Sequence, residues 1–525
     1  MELWITGAQL VDGTGAPARP ADVRVGGDRI TAVASPGTAP HAGGEPVLDA
    51  TGLVLTPGFI DIHTHSDVSV LHDPRAQSKV RQGVTTEVVG NCGFSPFPFN
   101  PDRLTDHLDL LAGIGDDPIE PDWHDLTGYA AAVTGRGVAL NVAPLVGHGQ
   151  LRLAVHGVEQ VRTAEGLTEM AALLTTLVEQ GAWGMSTGLT YTPSSYGDPD
   201  ELVALCRVLG QYDRLYATHA RGGGANAIAE TARVARDSGA AAQFSHLAIN
   251  HPDQWGSGQD LLDIFDAEVA AGVDIAFDVY PYDASSSALT QYLPDWLQEG
   301  GIEAMRGRLA DPATAARALA DARQGWGKSV PWLWDRVVLS RTDGLLGLAP
   351  GMSMVEAAEA TGTEPTQVML DLCRLGGNRV QVVLFYRTEQ DMQAFLAHPS
   401  SLVGSDGSAL PYELDREPHP RAYGAAARVL GRYVRDLGVL DLPTAVHKMS
   451  GGVADRLGMT DRGVVAEGRM ADLVLFDPAA VADRATFTEP RQAPVGVSHV
   501  MVNGEWAVTA DQQVDTLAGR VLLHS

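Results

Sequence analysis

Six residues whose side chains bind metal ions or carry protons follow short apolar runs of this sequence. They are His63, His65, Cys92, His219, His246 and Asp406. The first two histidines stand two residues apart, and in an extended strand that spacing puts both side chains on one face. A thiolate with imidazoles suits Zn²⁺, and three such ligands leave a fourth position open, as in catalytic zinc sites. The residues therefore predict a zinc centre with hydrolytic chemistry.

The apolar runs that precede these residues recur eight times along the chain. They read FIDIHTH, TTEVVGNCGF, VALNVAPLVGHG, AWGMSTGLTY, LYATHARG, AAQFSHLAI, DIAFDVYPY and SLVGSDGS. Most are followed by helix-like stretches, which is the alternation of a parallel α/β sheet, and eight is the strand number of a TIM (β/α)₈ barrel. Active sites of such barrels lie at the carboxyl ends of the strands. We therefore expect all six residues to meet at the barrel mouth.

The two ends of the chain share a different sequence pattern, in which short β-like runs are separated by Gly, Pro and Asp turns. They predict one small β domain built from residues 1–56 and 461–525, with the barrel at residues 57–460. A stretch of roughly 100 residues separates the seventh predicted strand from the eighth. We expect residues 285–398 to form an inserted lid with its own β element around RVQVVLFY.

Composition narrows the class of partner. The 525 residues include 37 Lys and Arg against 65 Asp and Glu, a net charge of −28, with no basic block that would favour nucleic acid. Three cysteines are too few for a disulfide framework, and no signal peptide or long apolar run suggests export or a membrane. We expect a cytoplasmic protein whose partner is a small molecule. An anionic substrate would need a local cation, and the oligomeric state stays open.

Several motifs resemble the N-acyl-D-amino-acid deacylase (D-aminoacylase) branch of the amidohydrolase superfamily. They include GFIDIHTHSD, TTEVVGNCGFS, THARG, FSHLAI, DVYPYDASS, GSDGS, HPRAYGAAARVLGRYVRD and MADLVLFDP. The resemblance implies zinc-dependent hydrolysis of the amide of N-acyl-D-amino acids. It also implies one tight zinc held by Cys92, His219 and His246, and a second, weaker metal position at His63 and His65. Asp406 would be the catalytic carboxylate that moves the proton.

The same resemblance implies substrate-binding residues. Arg421 would bind the α-carboxylate, assisted by Tyr191, Tyr280 and Ser287. Many members of the branch carry a lysine close behind the counterpart of His246, and those that prefer acidic side chains carry an arginine at the position of Leu293. This chain lacks both cations. The sequence therefore predicts a neutral or hydrophobic substrate side chain, with Tyr292, Leu293 and Trp296 as candidate walls of its pocket.

Three alternatives stay open at this point. A dipeptidase acting on L-Xaa-D-Xaa would need the same groups. A cyclic amidohydrolase of the hydantoinase type would share the barrel and the two spaced histidines, although Cys92 and Arg421 weigh against it. A non-catalytic barrel used for binding would belong to a different class, and retention of every candidate ligand argues against it.

Overall fold

A computed structural model describes residues 2–37 and 44–524 of the chain. Residues 1, 38–43 and 525 belong to the two predicted terminal segments and lie outside the described residues. In the described part, the strands are β1 Glu2–Leu10, β2 Arg19–Gly26, β3 Arg29–Ala34, β4 Val47–Asp49, β5 Val54–Pro57, β6 Phe59–Asp61, β7 Val84–Val89, β8 Asn141–Pro144, β9 Val146–Gly147, β10 Gly184–Gly188, β11 Leu215–His219, β12 Ala242–Phe244, β13 Ile275–Val279, β14 Ser285–Ala288, β15 Val337–Arg341, β16 Gln381–Leu384, β17 Ser401–Val403, β18 Leu473–Phe476, β19 Val497–Val502, β20 Glu505–Thr509 and β21 Gln512–Gln513.

The α-helices of the same residues are α1 Ser69–His72, α2 Gln77–Val80, α3 Leu104–Leu111, α4 Leu126–Arg136, α5 His148–Val155, α6 Ala164–Glu179, α7 Pro199–Gln211, α8 Gly224–Ser238, α9 Gly258–Ala270, α10 Asp295–Gln298, α11 Gly301–Ala310, α12 Pro312–Ala322, α13 Met354–Thr361, α14 Pro365–Gly376, α15 Glu389–Ala397, α16 Arg421–Arg428, α17 Leu442–Lys448 and α18 Gly451–Leu457. A π-helical segment, Val429–Asp436, continues α16.

Eight parallel strand positions form the predicted barrel. Strands β6, β7 and β8 pair in order, and β9, β10, β11, β12, β13 and β17 continue the series, with β8 and β9 as two pieces of the third barrel strand. A parallel bridge between Thr64 and Gly407 joins the first strand to the eighth. The strands are buried on both faces, as expected when side chains fill the interior and helices cover the outside. The predicted TIM barrel is confirmed.

The two ends of the chain meet in one nine-stranded sheet. Its order is β21-β20-β19-β18-β5-β1-β2-β3, with β4 paired to β1. The junction is the antiparallel pair of β5 with β18, in which Pro57 lies opposite Leu473. Alternating inward residues of β1 and β2 bury a separate apolar core, so the small β domain is confirmed as part of the fold. Its boundaries at residues 56 and 461 stay predictions.

The last residues of the chain differ from the prediction that they belong to this sheet. Beyond β21, Val521 forms a parallel bridge to Val142 of the third barrel strand, and the Leu522 amide donates to the Val142 carbonyl at 2.7 Å. The indole of Trp183 donates to the Leu522 carbonyl at 2.7 Å. The run GRVLLHS has strand-like composition. Its hydrogen-bond partners are backbone groups at the base of the barrel, and composition does not reveal which partner a strand-like segment will have.

The insertion between β13 and β17 has its own architecture. Strands β14, β16 and β15 form a three-stranded antiparallel sheet, and the predicted β element around RVQVVLFY contains β16. Helices α10 to α14 bury a second apolar core with this sheet. Helix α15 instead packs against α9 and β17 on the outside of the barrel. The inserted body therefore ends near Thr388, before the predicted boundary at residue 398, and its role as a lid stays a prediction.

Within the described residues, no helix combines the length and the apolar character needed to cross a bilayer.

Candidate active site

The structure places all six predicted residues just after the carboxyl ends of barrel strands. His63 and His65 follow β6, Cys92 follows β7, His219 ends β11, His246 follows β12 and Asp406 follows β17. Three of them have left-handed backbone conformations, with φ of 53° at Cys92, 39° at His246 and 54° at Asp406. Such angles are uncommon for residues with a side chain, and strained backbone of this kind clusters at functional sites. The turns aim these side chains into the barrel mouth.

One group of donor atoms forms around the first strand. Cys92 Sγ lies 3.3 Å from Nε2 of His63, and Oδ1 of Asp406 lies 3.5 Å from the same nitrogen. Nε2 of His65 is 3.0 Å from that carboxylate oxygen. The four side chains offer ligand atoms that all lie within 4.8 Å of one another. This geometry is compatible with a metal position that Cys92 and Asp406 border.

A second group shares the same thiol. Cys92, His219 and His246 also bring their ligand atoms within 4.8 Å of one another, and Sγ lies 3.6 Å from His246 Nε2. Nε2 of His219 is hydrogen-bonded to the Thr190 hydroxyl at 2.8 Å, whereas its buried Nδ1 has no hydrogen-bond partner in the described structure. A buried ring nitrogen without a hydrogen-bond partner is available to bind a metal ion. The donor set therefore fits zinc.

Charge complementarity holds the thiol in its ionised form. Burial alone would raise the pKa of Cys92, but the neighbouring imidazoles of His63, His219 and His246 bring it well below the ordinary value. Burial would lower the pKa of His63, yet Asp278 and Cys92 outweigh it and raise that pKa well above normal. A thiolate in this position is the form that binds metal.

Asp406 is also held as a carboxylate. Burial would raise its pKa, but the guanidinium of Arg421 and a hydrogen bond from His65 bring it well below its usual range. Arg421 Nη1 lies 2.6 Å from Asp406 Oδ2. The Asp406 amide also donates to the His63 carbonyl at 2.7 Å, which fixes the loop after β17 against the loop after β6. The site thus contains an ionised carboxylate next to the thiolate–imidazole cluster.

Asp278 of β13 orients two of these residues, and the sequence reasoning missed it. Its Oδ1 accepts from His63 Nδ1 at 3.1 Å and from the His246 amide at 2.9 Å, while Oδ2 accepts from Gln243 at 3.2 Å. A carboxylate behind a ligating histidine fixes the tautomer and the ring orientation. The signal was an acidic residue inside the apolar run DIAFDVYPY, which strand burial alone does not explain.

The residues that the resemblance assigns to substrate binding line one open cavity with this cluster. They are Tyr191, Tyr280, Ser287 and Arg421. The Tyr191 ring lies 5.0 Å from the His219 ring, and the buried Tyr280 hydroxyl has no hydrogen-bond partner among the described residues. The Ser287 hydroxyl contacts the Tyr292 hydroxyl at 2.7 Å. The structure therefore brings all four to the cavity.

Only one of the three residues predicted to form walls of the substrate pocket lines the cavity. Tyr292 lines the cavity, whereas Leu293 and Trp296 pack into the core of the insertion. Leu293 therefore does not line this cavity, although relatives that prefer acidic side chains are expected to carry an arginine at its position.

The cavity contains cations that the sequence reasoning did not find. Arg341, Arg387 and Arg416 lie on its wall with Arg421. None of them is near His246 in sequence, and two come from the insertion. The sequence reasoning identified no cation for the substrate side chain, and these three guanidiniums were not among its candidates. The prediction itself concerns specificity and stays open at this point.

Comparisons with known proteins place this chain in one family. A model of the amidohydrolase family matches residues 46–508. An N-acyl-D-aspartate deacylase of Alcaligenes xylosoxydans xylosoxydans is 35% identical over 523 residues, covering 99% of this chain and 94% of that protein. A D-aminoacylase of the same organism is 35% identical over 530 residues, covering 100% and 98%.

Among solved structures, an N-acyl-D-glutamate deacylase from Bordetella bronchiseptica superposes with a TM-score of 0.83 at 33% identity, covering 100% of this chain and 99% of that one. That protein was crystallised with zinc and with a phosphonate inhibitor that mimics the tetrahedral intermediate.

Proposed function

This chain belongs to the amidohydrolase family, and from that premise we propose that it hydrolyses the amide bond of N-acyl-D-amino acids. The products are a carboxylate and a free D-amino acid. The observation that carries the proposal is the meeting of two sets of metal-binding side chains, an ionised Asp406 and Arg421 in one cavity. The D configuration rests on the relatives, which act on N-acyl-D-amino acids by name.

We assign the metal to zinc. Cys92, His219 and His246 would hold the tight ion, and His63 with His65 would form the weaker position. The orphaned Nδ1 of His219 and the thiolate form of Cys92 support this assignment. When bound, zinc supplies a Lewis acid that lowers the pKa of water and stabilises negative charge developing on a carbonyl oxygen.

Asp406 is the proton carrier of the proposed reaction. Its low pKa keeps it as a carboxylate, so it accepts a proton from the attacking water. The protonated acid then delivers that proton to the nitrogen of the leaving amine, which completes cleavage of the amide bond. Its place beside both metal-binding groups puts the carboxylate next to the reacting carbonyl.

Arg421 is the proposed partner of the substrate α-carboxylate. Its guanidinium lies 4.9 Å from the centre of the Tyr280 ring and donates to the Ser286 carbonyl at 3.2 Å, which fixes its plane. A planar guanidinium suits a carboxylate in a bidentate arrangement. Tyr191, Tyr280 and Ser287 are the neighbouring hydroxyls available to the same ligand.

A cytoplasmic location is part of the proposal. Cys92, Cys206 and Cys373 are unpaired and buried, which suits a reducing compartment.

The experiment that tests the proposed function is a screen of paired N-acetyl-D- and N-acetyl-L-amino acids, with zinc content measured on the same sample. We expect hydrolysis of D substrates by zinc-containing protein. Cys92→Ala should lose the tight zinc and the activity together, while Cys206→Ala, a buried thiol outside the site, should keep both. Hydrolysis of L substrates alone, or full activity of the Cys92→Ala protein, would contradict the proposal.

A further inference from the structure

Most of the positive charge that lines the cavity is already neutralised. Arg341 pairs with Asp343 at 2.9 Å and donates to the Gly115 carbonyl at 2.9 Å. Arg416 pairs with Asp116 at 3.2 Å. Arg421 is bound to Asp406. These three guanidiniums have acceptors in the protein and hold the cavity wall together.

Arg387 differs from them. Across residues 2–37 and 44–524, its guanidinium has neither a carboxylate partner nor a hydrogen-bond acceptor, and its Nε is buried without a partner. Its guanidinium faces an aromatic ring, because Cζ lies 4.5 Å from the centre of the Tyr280 ring. An arginine cannot shed its proton at ordinary pH, so it stays charged there. The part-buried side chain lines the cavity, so its unpaired N–H donors are available to an anionic ligand.

Arg387 lies close to the residues proposed to bind the substrate. The guanidiniums of Arg387 and Arg421 both contact the Tyr280 ring. Only one of them is tied to the catalytic carboxylate. Arg387 follows β16 of the insertion and precedes Thr388, the N-cap of α15, so secondary structure on both sides fixes its backbone.

We propose that Arg387 binds a carboxylate on the side chain of the substrate and so directs this enzyme to N-acyl-D-amino acids with acidic side chains. The inference rests on the proposed function, in which Arg421 takes the α-carboxylate. A dicarboxylate would then place its α-carboxylate on Arg421 and its second carboxylate on Arg387, the unpaired one of the two guanidiniums beside Tyr280. A neutral side chain would leave Arg387 charged, desolvated and unpaired in the complex, and sites of that kind reject ligands that lack the matching group.

The test compares kcat/KM for N-acetyl-D-glutamate, N-acetyl-D-aspartate and N-acetyl-D-leucine in wild type, Arg387→Met and Arg387→Lys. We expect wild type to prefer the acidic substrates. Arg387→Met should lose about 100-fold on them, chiefly through KM, and should keep or gain activity on the leucine substrate. Arg387→Lys keeps the charge without the planar fork and should fall between the two. Arg374→Met, an arginine of α14 outside the cavity, is the matched control and should change neither substrate class.

Equal losses on acidic and neutral substrates in Arg387→Met would overturn the inference, since they would place Arg387 on the α-carboxylate or in the framework. A wild type that prefers the leucine substrate would overturn it as well. Hydrolysis of no N-acyl-D-amino acid at all would instead reject the proposed function. Calorimetric titration of the zinc-loaded protein with glutarate then decides the Arg387 inference separately: weaker binding by Arg387→Met supports it, and unchanged binding refutes it.

Discussion

At the scale of single residues, Asp406 has the most direct chemical role. Asp406→Asn keeps the shape and the contact with Arg421 but cannot accept a proton, so we expect kcat to fall by about 1,000-fold. Zinc content should stay at the wild-type level because the tight set does not include this side chain. Steady-state kinetics with metal analysis on the same samples checks both. Asp415→Asn, an exposed neighbour, should behave as wild type, and an active Asp406→Asn protein would remove Asp406 from the mechanism.

Asp278 acts one step behind the ligands. Its carboxylate fixes Nδ1 of His63 and thereby leaves Nε2 directed at Cys92. Asp278→Asn should weaken metal binding by about 10- to 100-fold without removing any ligand. Competition with a chelator of known affinity measures this, and Asp260→Asn on the exposed face of α9 serves as the control. Unchanged affinity in Asp278→Asn would mean that the orientation of His63 does not limit binding.

The sequence was sufficient to predict that the candidate ligands meet at the barrel mouth, but it did not reveal every residue around them. His63, Cys92 and Asp406 could be predicted because strand ends are visible as apolar runs and barrel topology gathers those ends. Asp278 was visible only as an acid in an apolar strand. Arg387 could not be found, because its approach to Tyr280 depends on the path of the insertion, and no periodicity encodes that path.

At the scale of elements, a buried polar chain connects the strand-end loops to the outer helices. The Gly188 amide donates to the Ser194 hydroxyl at 3.1 Å, and Ser194 in turn contacts His148 at 2.8 Å. His148 Nε2 lies 2.9 Å from Glu201 of α7, which also accepts from Arg152 of α5 at 2.6 Å. Gly188 lies directly against the Cys92 carbonyl, so this chain supports the loop that carries the thiolate.

This chain gives a pH-dependent stability prediction. Burial would raise the pKa of Glu201, but His148 and Arg152 lower it from the ordinary 4.5 to about 2. A lowered acid pKa contributes stability above the unfolded value, and that contribution is lost as the pH falls through the folded value. Glu201→Gln should therefore cost about 3 kcal/mol at pH 7, and its difference from wild type should shrink between pH 4.5 and pH 2.

Urea denaturation of both proteins across that range measures the difference. Glu165→Gln, in the exposed first turn of α6, should change stability by less than about 0.5 kcal/mol at every pH. A Glu201→Gln deficit that persists undiminished at low pH would assign the effect to packing and not to charge.

At the scale of the whole molecule, the terminal segment ties the chain end to the barrel base. Leu522 packs against a core cluster that includes Trp183 and Leu215, whereas the neighbouring Leu523 is 46% exposed. Leu522→Asp should lower the unfolding free energy by about 2 kcal/mol, because it places a carboxylate against apolar surface. Leu523→Asp is the matched control and should have little effect. Thermal denaturation measures both, and KM should not change because the active site lies at the opposite end of the strands.

The insertion also separates the residues proposed to select the substrate side chain from the residues proposed to carry out hydrolysis. The barrel provides every predicted metal ligand and the proton carrier, whereas Ser287 and Arg387 belong to a body with its own apolar core. Changes of selectivity can therefore accumulate in that body while the hydrolytic apparatus stays intact. For protein engineering, this favours mutagenesis libraries confined to residues 285–293 and 380–388, and it makes transplantation of the whole insertion between related barrels a practical route to new substrate ranges.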